Sequence, residues 1–344
     1  MSTDSSARFF LCGLTAAYFC AVGLGLGVQS ARAVTIDWVT VGDAGNAADT
    51  TTYGVVADPF QIGKYEVTIQ QYADFLNAVA ASDPYSLYST FMASNLNIAG
   101  ISRSGSSGSY TYSVMSNGGN SANRPITYVS WFDAARFANW MQNGQGSGST
   151  ETGAYTLVGG QTSGTAPEKN SDAQFYIPTE NQWYKAAYYK GGGTNAGYWD
   201  YATQSDTAPG NTIGSGANQA NYNNGVYAVT QSSSASSSQN YLTDVGAFTN
   251  SASAYGTFDQ SGNVWEWNDL TGIAGSLRGR RGGRWASADF TLASSSRGTY
   301  DPSIENDSIG FRLVAPVPEP STYAMALAGL ACGGYFVLRR RKRA

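Results

Sequence analysis

The sequence predicts a domain of short helices, each preceded by a short extended segment, set among long irregular polar stretches and bracketed by two apolar ends. Three capping boxes locate the helices. In the first, Thr68 is followed three residues on by Gln71, and Tyr72, Phe75, Leu76 and Val79 then recur at helical spacing. In the second, Ser130 precedes Asp133, with Phe132, Ala135, Ala138 and Trp140 beyond. In the third, Thr179 precedes Gln182, followed by Trp183, Ala186 and Ala187. Each cap hydroxyl accepts from an otherwise orphaned backbone N–H while the third residue reaches back. The extended segments are 60–67, 126–129 and 175–177. Between them, 102–123, 143–172 and 190–240 are rich in Gly, Ser, Asn and Thr and show neither helical nor strand period. Loops of that length in an ordered domain are functional or clamped by a ligand. Within the last, 231–239 reads as a flexible low-complexity insertion.

The two ends read as targeting segments. Arg8 precedes an apolar run over 9–28, and Ala31-Arg32-Ala33 offers a small-x-small cleavage site, so residues 1–33 are expected to be a secretory signal peptide. An uncleaved anchor helix is the alternative. At the other end, Pro318-Glu319-Pro320 leads into a mostly apolar run over 321–338 and then the basic cluster 339–343. A helix over 321–338 would be about 27 Å long, enough to cross a bilayer core. The basic cluster would hold its own end in the cytoplasm and turn the domain outward.

Composition narrows the chemistry. The chain has no histidine and three cysteines, and Cys12, Cys20 and Cys332 all lie in the apolar ends. The core, 34–315, therefore lacks the commonest general base, the commonest zinc ligand and every thiol. It carries 13 Lys and Arg against 22 Asp and Glu, a net charge of −9, which argues against nucleic acid as a partner. There is no Ser-His-Asp set, no zinc spacing and no phosphate-binding loop. Asp133, Glu180, Asp259, Glu266 and Asp269 are the carboxylates from which an acid–base pair would have to come.

An ordered series of segments carries more identity: 63–68 (GKYEVT), 124–131 (RPITYVSW), 177–183 (IPTENQW), 255–259 (YGTFD), 262–267 (GNVWEW), 281–285 (RGGRW) and 310–313 (GFRL). This series resembles the formylglycine-generating enzyme family, also called the sulfatase-modifying-factor domain. The resemblance implies an α+β fold with a C-type-lectin-like kernel and little regular secondary structure. The tail from Pro318 resembles the PEP-CTERM sorting signal, which implies export, recognition by an exosortase, processing near Pro-Glu-Pro and an association with exopolysaccharide or biofilm matrix. The domains expected are thus a signal peptide at 1–33, a sulfatase-modifying-factor-like domain at 34–315, and a sorting and anchor tail at 316–344 with a transmembrane helix at 321–338.

The resemblance also implies sites. Active relatives bind copper through two cysteines after the R-G-G segment, and the matching positions here are Ser287 and Leu292. A hydroxyl suits soft copper(I) poorly and Leu offers no donor, and the related sulfoxide-forming branch holds iron with histidines that this chain lacks, so neither copper nor iron is expected. Asn263 and Glu266 match a family calcium site, with hard oxygens suited to Ca²⁺. A second such site would begin at Asn221 and Tyr222, but its acidic partner falls near Ser237. Trp131, Trp183, Trp265 and Trp267 are expected in the core. In lectin-like relatives the stretch before the G-F-R segment presents ligand contacts, which here would be Arg284, Trp285, Ser287, Asp289, Phe290, Arg297 and Tyr300. The expected function is a cell-surface or matrix binding module, non-catalytic, for a glycan, an exopolysaccharide, a peptide or a surface protein. An oxidoreductase-like enzyme with an altered metal site and a structural biofilm protein are the alternatives.

Overall fold

A computed structural model describes residues 33–318. The chain order is β1 (Trp38–Val41), β2 (Phe60–Gly63), α1 (Ile69–Val79), α2 (Phe91–Ser94), β3 (Ile101–Ser104), β4 (Thr111–Val114), α3 (Trp131–Gln142) and α4 (Glu180–Tyr188). Then follow β5 (Gly214–Ala217), β6 (Phe248–Asn250), β7 (Trp265–Asn268), β8 (Arg278–Arg281), β9 (Gly298–Tyr300), β10 (Ile309–Gly310) and β11 (Val314–Pro316). The mixture of short helices and strands with long connections is the one expected. Among the described residues no helix is long and apolar enough to cross a membrane. The segments read as the body of the signal peptide and as the spanning helix at 321–338 lie outside the described residues.

All three capping boxes form. Thr68, Ser130 and Thr179 each accept from the N3 backbone, and Gln71, Asp133 and Gln182 each reach back to the cap. The helices differ in what they bury. α1 turns Ile69, Tyr72, Ala73, Phe75 and Leu76 inward, an amphipathic stripe. α3 is buried over nearly its whole length, from Trp131 to Met141, because core lies on every side of it. Phe137 joins the layers: its ring lies 6.2 Å from Tyr72, 5.3 Å from Phe75 and 5.4 Å from Phe311. Trp131, Trp183, Trp265 and Trp267 are all buried.

Two sheets frame this core. One is antiparallel in the order β1-β2-β11, so the last described strand pairs with the second and the chain closes on itself. The other runs β10-β7-β8-β9, with β10 parallel to β7 and the remaining pairs antiparallel. A guanidinium stitches them together. Arg312, 0% exposed, donates from Nε and Nη2 to the two carboxylate oxygens of Glu266 on β7, at 2.6 and 2.7 Å. It also donates to the carbonyls of Gly63 at 2.9 Å and Phe258 at 2.8 Å. Behind it, Asp269 accepts from Trp131 Nε1 at 2.6 Å and Tyr155 Oη at 2.7 Å, and lies 3.2 Å from Arg278.

Two polar stretches are more ordered than their composition indicates. The 102–123 stretch, expected to have no period, contains most of the β3–β4 hairpin, in register from Ile101↔Val114 to Ser104↔Thr111. Ser and Thr on its open face hide the alternation. Tyr112 points inward, and Asn77 on α1 both donates to and accepts from its backbone, at 2.8 and 2.9 Å. The 231–239 stretch is not a free insertion. Gln231 donates to the carbonyls of Asn211 and Ala228, and Asn97 donates to those of Ser236 and Gln239. Hydrogen bonds hold it where apolar contacts are scarce.

Burial raises the pKa of Asp133, Asp259 and Asp269 to about 6 in each case. A carboxyl whose folded pKa exceeds its unfolded value binds more protons when folded. The stability it contributes is full below about pH 4 and is lost as pH rises through about 6. The melting temperature is therefore expected to rise when pH is lowered from 7 to 5. A melting temperature that falls steadily over that interval would contradict this.

Candidate functional site

The turn after β8 rests on two glycines that no other residue replaces easily, Gly283 within it and Gly262 before β7, whose N–H donates to the Gly282 carbonyl at 2.7 Å. Gly262 has φ +94°, and a Cβ there would overlap the Asn221 carbonyl. Gly283 has φ +77°, and a Cβ would lie 2.7 Å from Leu292 Cδ1 and 2.9 Å from Thr291 Oγ1. The R-G-G turn can therefore fold back closely over the segment that follows it. Leu292 is fully buried with Ala220 and Tyr222. The Ser287 carbonyl accepts from the Asn223 N–H at 2.9 Å, and its own N–H donates to the Arg284 carbonyl.

A shared carboxylate pins this stretch to α4. Glu180, the first residue of α4, accepts from Arg281 Nε at 2.7 Å and takes both Nε and Nη2 of Arg297 at 2.8 Å. Arg281 also donates through Nη1 to the carbonyls of Ser294 and Ser296, at 2.8 and 2.9 Å. Its guanidinium lies 4.7 Å from the ring of Tyr53 and 4.8 Å from that of Tyr184. A bidentate arginine on a buried carboxylate fixes direction as well as distance. The loop is thus clamped between β8, α4 and Tyr53.

The seven residues expected to contact a ligand fall into different environments. Phe290 is 70% exposed and stands on a short 3-10 turn, Asp289–Thr291, where Asp289 accepts from the Phe290 N–H at 2.8 Å. Arg297 has a side chain 36% exposed, although both ends of its guanidinium serve Glu180. Tyr300 is half-buried beneath Arg280, whose guanidinium lies 3.9 Å from its ring. Trp285 departs most from expectation. It is 7% exposed and stacks on Tyr241, with centroids 4.8 Å apart and planes 5° apart. Together with Ile98, Leu242 and Val264 it forms a small apolar cluster, so it supports the surface from below and is not itself a platform. Arg284 reaches Asp307 at 3.3 Å, both half-exposed.

Sequence reasoning missed the neighbours of that ion pair. Tyr128, within the 124–131 segment, packs against the Trp285 cluster and has φ +57°. Its N–H donates to the Asn306 carbonyl at 2.9 Å, and its hydroxyl accepts from Asn95 Nδ2 at 2.9 Å. Phe91 stacks on it, with centroids 5.3 Å apart and planes 21° apart. A left-handed backbone at a tyrosine leaves no mark in the sequence, and Phe91 is distant in sequence from residues 284–300.

The matches to known proteins agree with this architecture. The sulfatase-modifying factor enzyme 1-like domain matches residues 34–317, and the chain belongs to that family. A PEP-CTERM protein-sorting motif matches residues 316–342, which makes the protein an exported one that an exosortase recognises and that is processed at the membrane. Among solved structures, the crystal structure of CarF is similar at 24% identity and a TM-score of 0.52, covering 82% of this chain and 99% of that one. Treponema denticola variable protein 1 is similar at 19% identity with a TM-score of 0.47, covering 84% and 98%. PvdO from Pseudomonas aeruginosa is similar at 18% identity with a TM-score of 0.42, covering 82% and 92%. No curated protein sequence matches the chain significantly.

The metals that this family implies do not fit the residues present. At the copper positions stand a hydroxyl and a buried hydrocarbon, Ser287 and Leu292. At the calcium positions the oxygens are engaged by the protein. Glu266 receives Arg312 on both oxygens and Trp183 Nε1 at 2.9 Å on one of them. Asn263 Oδ1 receives Asn221 Nδ2 at 3.0 Å, the Thr243 N–H at 3.2 Å and the Thr243 hydroxyl at 3.4 Å. Asn221, at which a second family calcium site would begin, donates its amide to Asn263 and to the Tyr241 carbonyl. Among the described residues no group of three or more acidic, histidine or cysteine side chains is placed to hold a metal. Calcium would have to displace a buried guanidinium. Addition of millimolar Ca²⁺, or of a chelator, is therefore expected to leave the melting temperature unchanged. A rise with Ca²⁺ that the chelator reverses would contradict this.

Proposed function

We propose that this exported member of the family is a binding module at the cell surface or in the extracellular matrix, without oxidase activity, and that the stretch after β8 displays its ligand contacts. One observation carries the reading. The Glu180 clamp on Arg281 and Arg297 holds the stretch fixed, with Leu292 packed inside and Phe290 left outside. A site for oxygen chemistry needs ligands for a metal at its floor; a recognition surface needs a rigid loop with exposed side chains. The scaffold here supplies the second.

The ligand classes that suit such a surface are glycans, including exopolysaccharide, and peptides of a surface protein. The net charge of −9 over 34–315 disfavours nucleic acid. In the same reading, residues 1–33 direct export, the apolar run 321–338 tethers the domain, and the basic cluster 339–343 stays in the cytoplasm until the exosortase acts. An enzyme with an altered metal site and a purely structural matrix protein are the competing readings.

The test pairs two assays on the exported protein. Supplied with copper(I), oxygen and a cysteine-containing sulfatase peptide, it is expected to form no formylglycine. In affinity electrophoresis through exopolysaccharide isolated from the producing cells, its migration is expected to be retarded. Turnover of the peptide without retardation would overturn the reading in favour of the enzyme.

A further inference from the structure

Beside the Trp285 cluster an exposed aromatic ring, Phe91, stacks on a half-buried one, Tyr128. Phe91 is the first residue of α2 and is 55% exposed, so its ring contributes little to the core. It lies nearly parallel to Tyr128. Tyr128 in turn occupies a left-handed conformation, φ +57°, which is uncommon for a bulky side chain and costs free energy that an Asn would largely avoid. Strain of this kind is retained where the side chain's position matters.

The polar groups around the pair have hydrogen-bonding capacity to spare. The Tyr128 hydroxyl accepts from Asn95, which leaves its own proton free to donate. Arg284 meets Asp307 through one nitrogen and one oxygen at 3.3 Å. Among the described residues, neither the remaining guanidinium nitrogens of Arg284 nor the second carboxylate oxygen of Asp307 has a hydrogen-bond partner. The link runs through chain neighbours: Tyr128 is bonded to Asn306, the neighbour of Asp307, and packs on the cluster of Trp285, the neighbour of Arg284. Burial raises the Tyr128 pKa, and the Asp307 charge lies near enough to add to that rise.

We propose that the outer face of Phe91, supported from beneath by Tyr128 and flanked by Arg284 and Asp307, is a platform for a neutral carbohydrate. The C–H face of a pyranose ring covers an aromatic face, and its hydroxyls both donate and accept, matching a carboxylate and a guanidinium side by side. Arg284 and Asp307 cancel in charge, so the platform offers a polyanion no net attraction, and the acidic domain around it repels one. This inference rests on the binding-module reading and names the ligand class and the residues that take it.

The exported protein is titrated calorimetrically with linear hexasaccharides of glucose, mannose, galactose and N-acetylglucosamine. At least one is expected to bind. Phe91→Ala is expected to raise its Kd about tenfold with no change in melting temperature, while Phe91→Trp keeps the affinity. Asp307→Asn is expected to weaken binding, and Val158→Ser, at an exposed apolar residue outside the platform, to leave it unchanged. Loss of binding in Phe290→Ala but not in Phe91→Ala would overturn the platform and leave the binding-module reading standing. So would retention of a peptide ligand by a protein that binds none of the four hexasaccharides.

Discussion

The fold depends on a buried guanidinium. Arg312 comes from near the end of the domain and meets Glu266 on an inner strand of one sheet, the Gly63 carbonyl at the end of a strand in the other, and the Phe258 carbonyl. Short strands and four helices leave few backbone ladders to hold such a chain. The regular hydrogen bonds that a longer sheet would provide are replaced by a small number of charged contacts, each joining segments far apart in sequence. Glu66, fully buried some 4.0 Å from the same guanidinium, has its pKa raised well above the usual range by desolvation and then by Asp259 and Glu266. One cation thus faces several carboxyls, and proton uptake by the others keeps the interior near neutrality.

The same device recurs beneath the candidate site. Glu180 collects Arg281 and Arg297 as Glu266 collects Arg312, and the segment so fixed is the one in which active relatives would keep their thiols. Absence of histidine and cysteine from the core therefore has a positive counterpart. Leu292 fills the interior at one ligand position, while polar and aromatic side chains gather outside. Exposed Phe290 and the Phe91–Tyr128 stack lie on elements that the clamps and the Trp285 cluster hold in place. Rigid support beneath adaptable contacts is what recognition of an extended ligand requires, since ordering costs are met during folding rather than at binding.

The helices were legible because capping boxes are local: Thr68, Ser130 and Thr179 each announce a helix within four residues. The core tryptophans were legible from the segments that contain them. The β3–β4 hairpin was not, because its open face is Ser and Thr and only Tyr112 marks the inward side. Nor was the order of 231–239, whose anchors, Asn97 and Asn211, are distant in sequence. At the candidate site the sequence offers Phe290 and Trp285 alike as surface aromatics, and the fold exposes the first and buries the second. A tryptophan between Arg and Ala gives no sign that Tyr241 will stack on it. The partners of Glu266 were hidden for a like reason: a carboxylate that suits calcium suits an arginine equally well, and only the fold shows that Arg312 arrives.

The Arg312–Glu266 contact couples the two sheets. A double-mutant cycle with Arg312→Met and Glu266→Leu, read by urea unfolding, tests it most directly. Each single change strands a buried charge and is expected to cost about 3–5 kcal/mol. The double change should cost about 2 kcal/mol or more less than the sum, because neither charge is then left alone. Additivity to within about 0.5 kcal/mol would show that the two residues act independently and would contradict the account.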